Sequence, residues 1–110
     1  MSISRNLHLG PYVECNRKRT KERPDVMDLT GEALCEVEVR HPCALAIANV
    51  RRPGEPGDVM DDASFAEDLR GRDMAAEVAW FESAFAPELA KIREAFASVE
   101  VKWGLLQWFS

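Results

Sequence analysis

The residues best equipped for chemistry are three cysteines and two histidines: Cys15, Cys35, Cys43, His8 and His41. Thiolate and imidazole groups in a tetrahedron are what zinc takes. Structural zinc sites, however, supply their donors as closely spaced pairs on tight turns. Cys15 and Cys35 stand apart from any such pair, and His41 and Cys43 flank a single proline. On an inward-facing strand position a cysteine is simply a small buried hydrophobe. A nucleophile built from Cys43 and His41 is no better supported. A strand sets same-parity neighbours side by side, without the in-line hydrogen bond through which a base activates a thiol. The expectation is no metal and no cofactor.

Carboxylates are the next resource. Asp58, Asp61, Asp62, Glu67 and Asp68 crowd one stretch. Nothing there separates one neutral acid from one ionised base, as general acid–base work requires. The chain also lacks Gly-x-Gly-x-x-Gly, the Gly-Lys-Ser/Thr phosphate loop, Gly-x-Ser-x-Gly and His-Glu-x-x-His. The reading is therefore not an enzyme.

The elements that would position these residues follow from hydrophobic spacing. Met74, Val78, Phe81, Phe85, Leu89, Ile92 and Phe96 recur at steps of 4, 3, 4, 4, 3 and 4, one face of an α-helix. Asp73 caps this helix, and Pro87 either kinks it or opens a second helix in its first turn. Val99, Val101, Trp103 and Leu105 then alternate with polar residues or glycine, the period of a strand. Earlier, Leu7, Leu9, Val13 and Cys15 share one parity and predict a strand. Gly10-Pro11 should put that strand at a sheet edge or give it a bulge. Residues 25–30 suit a turn. Ala33, Cys35, Val37 and Val39 predict a half-buried strand with those side chains inward, and 43–50 its return arm in a hairpin. The Pro-Gly-Glu-Pro-Gly stretch is a loop. Ser64 and Glu67 form a capping box for a short helix over 63–70, closed by Gly71. The fold class is α+β: one domain over residues 1–110, a mostly antiparallel sheet of three to five strands, and helices on one face.

Composition narrows the function. The chain of 110 residues is 46% hydrophobic and 30% charged, as a folded domain is. Its start carries no apolar signal-peptide core, no stretch is long enough to span a bilayer, and the odd cysteine count fits reduced thiols. The expected location is the cytoplasm. The net charge is −5, split unevenly: residues 1–54 carry nine Lys/Arg against seven Asp/Glu, and residues 55–110 five against twelve. Such a balance repels nucleic-acid backbone, so direct nucleic-acid binding is not expected. The cluster Arg17, Lys18, Arg19, Lys21 and Arg23 is either a solvated loop or a basic finger, with no aromatic residue among its charges to stack on bases.

Binding is what remains. Trp80 lies about 140° from the centre of the helix stripe, where an indole is either covered by another element or an anchor for a partner. Asp73 and Glu77 flank it, and Asp61, Asp62 and Asp68 precede it, so the anchor would sit in a negative field. Leu106 and Trp108 fall on the polar parity of the last strand. Either Gly104 marks a bulge that turns them inward, or they form an exposed contact patch. In size, acidity and lack of catalytic parts the chain resembles the small inhibitors that phages and toxin systems encode, anti-CRISPR and immunity proteins among them. That likeness is one of class. It implies a protein partner with a basic surface, the chain itself being a monomer or homodimer. The alternative is a zinc-stabilised regulatory module and, after that, a small enzyme.

Overall fold

The computed structural model describes residues 5–16, 24–40, 43–49, 58–59 and 71–109. In chain order these form β1 (Arg5–Asn16), α1 (Val26–Leu29), β2 (Leu34–Arg40), β3 (Cys43–Ala48), β4 (Asp58–Val59), α2 (Met74–Ala84), α3 (Ala86–Ala95) and β5 (Ser98–Phe109). The fold is α+β, an antiparallel sheet with helices packed on it. The expected helix over 63–70, the basic cluster 17–23, the loop 51–57, His41 and the carboxylates Asp61, Asp62 and Asp68 lie outside the described residues.

β1 is the centre of the sheet. It pairs with β5 from Arg5 opposite Phe109 to Asn16 opposite Ser98. Its other edge takes β3 at Val13–Asn16 and β4 at His8–Leu9. The expectation of an edge strand is thus overturned, and the reason is local. Gly10 and Pro11 fall between the stretches that pair with β3 and β4, and among the described residues no strand pairs with them on that edge. The Pro11 carbonyl accepts instead from His8 Nε2 at 3.1 Å, a bond buried in the protein. Gly10 has φ +152°, a conformation that side chains oppose.

Val13 of β1 pairs with Ala46 of β3, and both face the helices. There Val13, Cys15, Val26, Leu34, Ala44, Ala46, Phe81, Phe85, Leu89, Ile92 and Phe96 form the main core. The helix stripe is as the spacing predicts from Phe81 onward, whereas Met74 is 55% exposed. Pro87 does not kink one long helix. Phe85 ends α2 and α3 begins at Ala86, with the proline in its first turn, where its lack of an N–H costs nothing. Asp73 caps α2 by accepting from the Ala76 amide at 3.1 Å. The predicted turn after Asp25 is a single turn of helix, with Asp25 accepting from Met27 N at 2.9 Å.

The opposite face of the sheet is apolar too. Leu45, Ile47 and Leu106 are buried there, with Tyr12, Cys35, Val37 and Trp108 packed against them. β2 and β3 form the expected hairpin, but β2 turns Leu34, not Cys35 and Val37, toward the helices. A register shift between Glu36 and Glu38 breaks its alternation. No helix among the described residues is long and apolar enough to cross a membrane.

Candidate functional site

The start of α2 is fastened to β5 by one buried carboxylate. Glu77 accepts from Arg72 through both its oxygens, Arg72 Nε lying 2.7 Å from Oε2. Trp103 Nε1 donates to Glu77 Oε1 at 3.2 Å, and the Arg72 guanidinium sits 5.6 Å from the centre of the Trp103 ring. A planar guanidinium matched to a carboxylate and stacked on an indole is a strong, directional arrangement. Glu77 is therefore an internal clasp. It does not lie on the surface beside Trp80, where the sequence placed it. Asp73 is exposed and occupied as the helix cap.

Trp80 is half-buried. Its ring meets Phe81 edge-on at 6.4 Å and Phe85 at 6.1 Å. The indole is in part a piece of the core, bordering the solvent side of α2. That side is unusual in what it shows. Met74, Ala75, Ala76, Ala79, Glu82 and Ser83 are the exposed residues of the helix, and Glu82 is their only charge. At about 100° per residue, Ala75, Ala79, Ser83 and Ala76 form one strip with Trp80 along its border. Sequence reasoning passed over these alanines because it looked for large side chains. The available signal was that no lysine or arginine occurs between Arg72 and Lys91.

At the end of β5 Leu106 and Trp108 turn inward, as one of the two alternatives has it, but without the bulge that was to cause it. The pairing with β1 runs without a shift through Gly104, so no bulge exists there. Leu106 is only 2% exposed and Trp108 is half-buried, both held in the second apolar cluster. It is Leu105 and Phe109, on the other parity, that face solvent, at 45% and 62%.

The thiols are free and held neutral. Burial, with smaller contributions from Glu36, Cys43 and Glu14, pushes the Cys15 thiol up to about 12. Burial also raises Cys35, and burial with Glu14 raises Cys43, which Lys102 partly offsets. Cys43 Sγ donates to Asn16 Oδ1 at 3.1 Å. A nucleophilic or metal-binding thiol needs the opposite, a lowered pKa in electropositive surroundings. Among the described residues no group of three His, Cys, Asp or Glu side chains is close enough to hold a metal ion.

The chain matches no protein-family model, no curated protein and no solved structure.

Proposed function

We propose that this protein is an inhibitor that binds a protein partner through the outer side of α2 and covers a basic surface there, one that serves the partner in holding nucleic acid. The observation that carries this reading is the exposed strip of α2, small and apolar with Met74 at one end and Trp80 on its border. A solvated helix face normally carries lysines and glutamates. A flat alanine strip lets another surface approach the backbone closely, while Trp80 supplies the aromatic edge common at binding hot spots. Charge supports the choice of partner. Residues 55–110 hold twelve acidic against five basic residues, and a field of one sign speeds encounter with its opposite.

The test is Ala79→Arg. Arginine is nearly as good a helix former as alanine, so the fold should be kept, while a long cation on the strip blocks approach and repels a basic surface. Capture from the native host, repeated with the variant, should lose the partner at unchanged melting temperature. Equal capture by both proteins would remove α2 from the interface.

A further inference from the structure

β5 pairs with β1 along its whole length, and among the described residues no strand pairs with its other edge. Among the described residues this 12-residue strand thus keeps a row of backbone donors and acceptors without a strand partner, a template on which another strand adds. Natural edges are blunted by short length, proline, bulges or charged side chains. β5 has no proline, and its register is unbroken from Ser98 to Phe109. Its charged residues, Glu100 and Lys102, are joined to each other at 3.6 Å, and Lys102 also pairs with Glu14. Leu105 and Phe109, two of the three exposed large apolar side chains among the described residues, stand on this strand.

We infer that the free edge of β5 receives β5 of a second copy of this chain, antiparallel about a two-fold axis at Gly104, so that one sheet runs through both subunits. Charge selects the occupant. The acidic excess of the protein lies outside β5, whose Glu100 and Lys102 cancel. Two copies therefore meet at this edge without repulsion, while a basic strand gains no attraction from it. Such a contact is self-complementary, as a two-fold dimer interface must be. Register selects the axis. About Gly104, Leu105 lies opposite Trp103 of the second copy and Phe109 opposite Val99, so both exposed side chains meet half-buried apolar neighbours on the helix-covered face. With the axis at Trp103, Phe109 would face Ala97, outside the strand. With the axis at Leu105, apolar neighbours are kept but the paired part of Ser98–Phe109 is shorter.

Sedimentation of the full chain over a concentration series extending to the high-micromolar range tests this. The wild type should reach twice its chain mass. Leu105→Glu combined with Phe109→Glu should stay at one chain mass with the wild-type circular dichroism, since both side chains are already exposed. Ala79→Arg should remain dimeric, which separates this interface from the partner surface on α2. Hydrogen exchange supplies a readout without substitution: β5 amides should slow on going from dilute to concentrated protein, and α2 amides should not. A wild type that stays at one chain mass throughout overturns the inference. So does a dimer that survives the double substitution, or β5 exchange that ignores concentration.

Discussion

α2 and α3 press the same kind of stripe onto the same sheet, yet they show different things to solvent. Phe81 and Phe85 from α2 and its end, and Leu89 and Ile92 from α3, are all buried in one core. Outside, α3 exposes Lys91, Arg93 and Glu94 beside Ala86, Pro87 and Ala90, a mixed solvated face, with Arg93 in the last turn where a cation suits the helix dipole. α2 exposes alanines, Met74, Ser83 and the single charge of Glu82. Packing dictates the inner stripe and leaves little choice there. The outer side is free to vary, so an outer side with a single charge is where a second constraint can be read. The contrast also separates what a substitution should do to stability from what it should do to binding.

The largest effects should come from the half of the comparison in which the helices agree. Phe81→Ala should cost about 3–5 kcal/mol and Ile92→Ala about 2–5 kcal/mol in denaturant unfolding, the usual range for emptying a packed site. If one helix tolerates its substitution within a few tenths of a kcal/mol, the two do not share a core. Trp80→Ala comes next. A half-buried indole with two edge-on ring contacts should lose about 2 kcal/mol of stability, with each aromatic pair contributing about 0.5–1.5 kcal/mol. Partner binding should fall as well. Unchanged stability with lost binding would make the residue a pure anchor, and the reverse would make it pure core.

A third measurement asks whether the space beneath both helices is dry. Cys15 lies in that core, and its thiol is raised from 9.0 to about 12. Below pH 9 the thiol is neutral both folded and unfolded, so it adds no pH dependence. Above that, the unfolded chain ionises and the folded one does not. Stability should therefore decline by about 1.4 kcal/mol per pH unit from this group until its folded pKa is reached. Cys15→Ala should flatten the curve, and an identical slope in that variant would show that water reaches the site. The smallest effect belongs to the outer sides. Lys91→Ala on α3 and Ala79→Arg on α2 should each shift stability by less than about 0.5 kcal/mol, and only the second should alter binding.

What the sequence disclosed was what short-range spacing controls. The apolar stripe from Phe81 to Phe96, the Asp73 cap, the β2–β3 hairpin and the parity of Val13 and Cys15 all follow from residues a few positions apart. The misread features depend on partners far along the chain. Pro11 argued for an edge, but β1 is central because β3 and β4 pair with it on either side of that proline. With both faces of the sheet apolar, parity no longer marks the inside. That is why β2 turns Leu34 to the helices, and why Leu106 is buried while Leu105 is exposed. Of the residues picked for the contact site, Trp80 stands at the border of the α2 strip, Glu77 is a clasp and Leu106 is core. The alanines that make the strip were legible only indirectly, through the lack of any lysine or arginine between Arg72 and Lys91.

The pairing of β1 with β5 also governs when this fold can come into being. The first strand described finds its longest partner in the last, with the hairpin, the short strand and both main helices between them. Contacts of such long sequence separation must overcome the entropy of closing a large loop before they yield anything. While the chain is still being made, β1 can meet β3 but holds only part of its ladder, and α2 lacks the Trp103 donor for Glu77. The β1–β5 ladder and the Glu77 clasp therefore close only after synthesis of β5. Until then the second apolar cluster lacks Leu106 and Trp108, and the sheet face away from the helices offers chaperones a surface to hold.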